Sequence, residues 1–261
     1  MNNNSQKIPR LLFNLYVFLS AFFICNAIVA EFIGVKIFSV EKAFGLLKDT
    51  DMPGRINMSI GVIIWPFVFL TSDLLNEYFG KQGVRRISFI TAGLIAYASI
   101  IVLAGTKLPP AQFWLDANDT DHAGNPFDIN YAYHTIFRQG VGIVVGSITA
   151  FLVSQMIDVY VFHFFRKITG HRYLWVRATG STIISQLIDS YLILFIAFYL
   201  LGNWQLKDIF SVGTVQYFYK VGLAIILTPL IYLAHGVIDR YLGREYSANI
   251  IEKADKEWEA D

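Results

Sequence analysis

Asn57-Met-Ser-Ile-Gly-Val-Ile-Ile-Trp-Pro-Phe-Val-Phe-Leu-Thr-Ser-Asp-Leu-Leu75 holds a single ionised side chain, Asp73. Hydrocarbon about 30 Å thick is crossed by about 20 mostly apolar helical residues, and this stretch has that length and chemistry. Five more runs of the same kind lie around it, at Leu11 to Val35, Ile87 to Gly105, Gly140 to Phe165, Ala178 to Leu201 and Tyr217 to Val237. The whole 261-residue chain agrees, with 55% hydrophobic and 16% charged residues and a mean hydropathy of +0.48. The reading is an all-α polytopic membrane protein, a bundle of six transmembrane helices in one domain, with residues 244–261 as an exposed charged tail. The first run follows Lys7 and Arg10 as a signal peptide would, but its apolar stretch is too long for one.

An even number of spans puts both termini on one side, and Lys and Arg collect on the cytoplasmic side. The N-terminal segment, the loops 76–86 and 166–177 and the tail hold thirteen cations, among them Arg85, Arg86, Arg166 and Arg177; the opposite, longer loops hold eight. Lys220, four residues into the last run, is counted with those outer loops. Both termini are therefore expected in the cytoplasm. A formal net charge of +1 offers no field for nucleic acid, and the single cysteine, Cys25, excludes an internal disulfide. In the outer loop 106–139, Asp119, Asp121 and Gly124 imitate the start of a calcium loop, but Ala123 and Asn130 stand where an EF-hand needs oxygen ligands. Phosphate-binding, HExxH and GxSxG motifs are absent, so neither an enzyme nor a cofactor is expected.

Chemistry is expected from the carboxylates inside the runs: Glu31, Asp73, Asp158 and Asp189. Such groups cost several kcal/mol in hydrocarbon unless paired or hydrated, so they should face a shared interior that favours donor-rich ligands, cations or protons. The same groups can serve only to hold helices together. Ser72, Ser154 and Ser185 each precede Asn76, Asp158 or Asp189 by four residues, a spacing that places each Ser on the face of the group it would orient. Trp65-Pro66-Phe67 falls midway along the second run, where a proline kink and an indole suit a stacking wall for a flat heterocycle. Gly142 and Gly146, with Gly140 and Ser147, form a small-residue face for close helix packing or a homodimer seam.

Asn26 with Lys36, Pro66-Phe67 leading into Asp73-Leu-Leu-Asn-Glu77-Tyr-Phe-Gly80, and Arg85-Arg86 resemble the queuosine precursor transporter family, also called the vitamin uptake transporter family. Ala150-Phe151, Gln155, Asp158-Val-Tyr160, Phe162-His163, Arg177, Gly180-Ser181-Thr182, Gln186 and Asp189 continue the likeness over five of the six runs. The outer loops 36–56 and 106–139 depart from it, being longer and more polar. The resemblance implies a six-helix importer of 7-deazaguanine precursors of queuosine, the 7-cyano or 7-aminomethyl compound, for transfer RNA modification. It is similar in size to the binding components of energy-coupling-factor importers, which would add an ATPase module as partner; a membrane enzyme with paired Asp residues is the other alternative. A guanine-like ring offers adjacent N–H donors for one carboxylate and flat faces for stacking. On this reading Asp189 with Gln186 takes the donor edge, Trp65 and Phe67 stack, and Asn26 meets the carbonyl or 7-substituent. Gln155 and Asp158 complete the pocket. Glu31, Asp73, Glu77 and Arg85 are expected to gate or couple.

Overall fold

The computed structural model describes residues 3–43, 45, 57–137, 141–169 and 173–260; Lys48, Arg55, Arg138, Gly140 and Arg172 fall outside them. The elements are α1 (Asn3–Ile33), β1 (Ile37–Ser39), α2 (Val40–Ala43), β2 (Asn57–Ser59), α3 (Trp65–Gly105), α4 (Gln112–Asp116), α5 (Ile129–Phe137), α6 (Val141–Thr169), α7 (Leu174–Leu194), α8 (Leu206–Leu242) and α9 (Arg244–Ala260). A 3₁₀ turn, Ile60–Ile63, leads into α3, and a π-helical turn, Phe195–Leu200, prolongs α7. Among the described residues five helical stretches are long and apolar enough to cross a membrane: Pro9–Ile33, Trp65–Gly105, Ile129–Thr169, Leu174–Leu200 and Leu206–Leu242. The described residues are all-α apart from an isolated bridge between Thr120 and Pro126 and the β1–β2 ribbon, which pairs antiparallel with Phe38 opposite Met58.

The run that opens the sequence reading is not one helix. Residues 57–59 are extended and 60–63 are 3₁₀, so Trp65 begins α3 and Pro66 sits in its first turn. Proline is tolerated there because its missing N–H would have had no intrahelical acceptor; the expected mid-span kink is absent. The break comes at Gly80 instead (φ 62°, ψ −172°), inside what was expected to be the loop 76–86, and the helix resumes at once. Contacts with α1 show the chain turning back there. Gly61 lies against the Ala30 carbonyl, Tyr16 donates to the Gly83 carbonyl at 3.4 Å, and Val102 and Leu103 return to a small cavity shared with Glu31 and Phe32. The limbs before and after Gly80 therefore run in opposite directions along α1. A positive φ with no Cβ penalty is what glycine supplies at such a reversal.

The core joins Phe23 and Ala27 of α1, Val68 and Leu75 of α3, and Phe151, Val159 and Phe162 of α6. Outward faces are as apolar as the core: Phe13, Phe18, Ile100, Ile101, Phe218, Ile226 and Leu233 are all exposed. Apolar faces this extensive suit lipid rather than water as the surrounding solvent. α6 and α7 lie antiparallel in tight register, and the small face of α6 is already filled within the chain. A Cβ on Gly142 would sit 2.9 Å from the Leu201 Cβ, and one on Gly146 3.1 Å from the Ala197 Cβ. Gly142 and Gly146 thus pack within the chain, against the turn that prolongs α7 and the residue after it. The tail departs from expectation too: α9 buries Ser247, Ile251 and Ala254, with Ala254 against Gly80.

Candidate functional site

The buried polar residues form two groups on opposite sides of one helical turn of α3. Glu77, 1% exposed, receives both prongs of the Arg177 guanidinium, Nε to Oε2 at 3.0 Å and Nη2 to Oε1 at 2.5 Å. Arg166 Nη1 stands 3.6 Å from the same carboxylate and His235 Nε2 3.9 Å. His235 Nδ1 reaches Asp239 at 3.0 Å, which also accepts from Tyr78 Oη at 3.1 Å and from Ser247. Arg166 donates through Nη2 to the Ile251 carbonyl of α9 at 3.0 Å. A fork of N–H donors matched to a carboxylate is the strongest common ion pair, and it fastens α3, α6, α7, α8 and α9 together. Arg85, grouped with Glu77 in the expected gate, is not part of this cluster. Arg85 is exposed and lies over the Phe89 ring at 5.9 Å.

Other buried polar groups, on α3 and α7, are unsatisfied. Asp73 Oδ1, both amide atoms of Asn76 and both amide atoms of Gln186 have no hydrogen-bond partner among the described residues, although these side chains are at most 5% exposed. Buried polar groups are nearly always hydrogen-bonded, so each of these atoms calls for a partner that the described residues do not supply, and of the three residues Asp73 is the one that lines a cavity. Asp73 lines an open cleft of about 530 Å³ between α3, α7 and α8, with Trp65, Phe69, Thr182, Lys220 and Thr228 in its walls. Gln186 follows Thr182 by one turn on the same face. The lining is mostly apolar with a few placed polar groups, as the lining of small-molecule sites usually is.

The structure sorts the sequence candidates. Trp65 and Asp73 are in the wall, but Trp65 stacks on Phe69 (5.8 Å, 20°), while Phe67, 38% exposed, is not in it. Asn26 donates to the Phe22 carbonyl of its own helix at 2.8 Å and is not part of the lining. Gln155 bonds Ser72, and Glu31 accepts from Ser147 at 2.6 Å. Ser185 does not orient Asp189. Its Oγ donates to Asp158 at 3.0 Å, whereas Asp189 accepts from Ser154 at 3.3 Å and from Lys220 Nζ at 2.5 Å. A helical side chain leans toward its own N-terminus, as the bonds of Ser154 and Ser185 to the carbonyls of Phe151 and Thr182 record; each hydroxyl thus turns from residue i+4 and meets the antiparallel neighbour. Lys220 is therefore not a loop cation but a lining residue, and the interior is not purely anionic. Its position four residues inside an apolar run was the available signal. For Arg166, His235 and Asp239 the sequence shows only the i, i+4 spacing of the last two.

Between α4 and α5, Asp121 accepts from the backbone N–H groups of Ala123 and Asn125 at 2.9 and 2.8 Å. Those bonds and the Asn125 side chain hold its carboxyl below the usual range. Among the described residues no group of three His, Cys, Asp or Glu could hold a metal ion.

Comparison with known proteins adds to this geometry. Residues 59–234 match a family described as "Putative vitamin uptake transporter". A "Probable queuosine precursor transporter" of Bacillus subtilis is 27% identical, over 74% of this chain and 78% of its own. The Haemophilus influenzae protein of the same name is 26% identical, over 74% and 73%. The "Queuosine precursor transporter" of Escherichia coli is 29% identical, over 64% and 67%. No solved structure matches the chain.

Proposed function

Because the chain belongs to the vitamin uptake transporter family, and is a multi-pass membrane protein of transporters' kind, we propose that it imports a 7-deazaguanine precursor of queuosine, the 7-cyano or 7-aminomethyl compound, across the bacterial inner membrane. The observation that carries this reading is the α3–α7–α8 cleft, where a buried carboxylate with an unpartnered oxygen, Asp73, shares a wall with Trp65. A carboxylate accepts the adjacent N1–H and 2-amino donors of a guanine-like ring, and an aromatic wall takes the ring face. Asp73 takes the place first given to Asp189, whose oxygens already serve Lys220 and Ser154. Gln186 supplies amide donor and acceptor beside it. The names of the three relatives agree with the substrate class.

Six transmembrane segments follow from counting the two limbs of α3 separately about Gly80, together with α1, α6, α7 and α8. Both termini and the Gly80 reversal then share one face, and the cation bias of that face makes it cytoplasmic. The Glu77 network lies beside this end and serves as the closed inner gate.

Cells unable to make queuosine precursors, supplied with either compound, test the transport reading. Queuosine should appear in their transfer RNA with this gene and not without it; equal amounts in both would refute it. Cysteine labelling, after Cys25 is replaced, tests the topology: a cysteine at position 82 should resist an impermeant reagent in intact cells.

A further inference from the structure

Lys220 and Asp73 occupy one cleft but not one end of it. Thr228 on α8 bonds Thr179 on α7 at 3.0 Å, and both line the cleft along with Ala178, Ile231 and Asp73. Asp73 precedes by one turn Glu77, which is held by Arg177, so it belongs to the Thr228–Ile231 end. Lys220 lies eight residues before Thr228, about 12 Å along the helix at 1.5 Å per residue. There it accompanies Trp65 and Val62. One donor of its ammonium is fixed by Asp189 Oδ2 at 2.5 Å, and Asp189 is fixed in turn by Ser154. Three donors on an ammonium leave two for another acceptor.

Resting on the substrate reading above, we infer that Lys220 is a specificity-determining residue that reads the 7-substituent, with Asp189 as the residue that positions it. With N1–H and the 2-amino group at Asp73, the 7-substituent leads away from that carboxylate and along the cleft toward Lys220. A nitrile there is a neutral acceptor that the ammonium can bond. An aminomethyl group, protonated at neutral pH, has no acceptor and turns its own donors on those of the ammonium; Asp189 beside Lys220 offsets the added charge, so the mismatch of donors discriminates. The cleft thus selects the 7-cyano compound over the 7-aminomethyl compound.

Equilibrium binding of 7-deazaguanine, 7-cyano-7-deazaguanine and 7-aminomethyl-7-deazaguanine to the full chain in lipid nanodiscs tests this. Wild type should bind the cyano compound at least tenfold more tightly than the aminomethyl compound. Lys220→Gln should bring the two within about threefold, while unsubstituted 7-deazaguanine changes by less than that. Lys220→Arg should keep the preference. Should Lys220→Gln fail to fold because Asp189 is left unpaired, Lys220→Gln with Asp189→Asn removes both charges and should show the same loss of preference. Binding of all three rings with no preference in wild type, or a preference unchanged in the variants, overturns the role of Lys220 and leaves the substrate reading intact. Binding of none overturns both.

Discussion

Glu77 and Asp73 stand four residues apart on one helix, both carboxylates, both buried, yet their surroundings are opposite. Glu77 is saturated, with a bidentate Arg177, a nearby Arg166 and His235. Asp73 keeps an oxygen without a partner and opens on a cleft. The difference teaches that burial of a charge does not identify its use; the partners do. A saturated carboxylate holds elements in place and resists change, whereas an unsatisfied one is stable only in company with a ligand, water or a proton that completes it.

That contrast is broken most forcefully by Arg177→Met, which strands Glu77 in the interior. Removing one partner of a buried pair costs about 3–5 kcal/mol, so the variant should show a large drop in detergent melting temperature and in folded yield. Pairing it with Glu77→Gln should recover part of the loss. Asp73→Asn is the counterpart and should behave inversely: melting within a few degrees of wild type, but affinity for 7-cyano-7-deazaguanine at least tenfold weaker, since a donor now faces the ligand's donors and mismatched buried groups cost about 1–3 kcal/mol. If calorimetry finds binding unchanged and melting as damaged as in Arg177→Met, the two carboxylates are alike and the distinction fails. Trp65→Ala comes next, losing about 0.5–1.5 kcal/mol of ring contact beyond its area. It should weaken all 7-deazaguanines alike, so altered selectivity among them would assign Trp65 a different task. Asn26→Ala should have the smallest effect, within about twofold in affinity by the same titration, because its amide is spent on the Phe22 carbonyl.

The membrane class and most helices were legible because hydropathy over 20 residues reports the solvent of a segment directly. The errors cluster where hydropathy is silent. An apolar run from Asn57 to Leu75 looks the same whether it is extended, 3₁₀ or α, so the ribbon and the true start at Trp65 were hidden inside it. The reversal itself was legible as the polar stretch 76–86, but not that Gly80 makes it with helix on either side. At the site, the residue types were legible and the pairings were not. Ser154, Asp158, Ser185 and Asp189 were all conspicuous, but which hydroxyl meets which carboxylate depends on the register of two helices, and no spacing within one helix encodes that. Lys220 was passed over because its charge suggested a loop, although a lysine can lie inside a span when a carboxylate there receives it.

The crossed bonds between α6 and α7 carry a kinematic consequence. Ser154 to Asp189 and Asp158 to Ser185 sit one turn apart along the seam, with Gly146 against Ala197 and Gly142 against Leu201 continuing the same register outward. Sliding one helix along the other by a single residue unseats all four contacts together, with no intermediate position that preserves any of them. The pair is therefore held as one strut, so on the transport reading the walls left to move are the limb of α3 that ends at Gly80 and the proline-bearing α8.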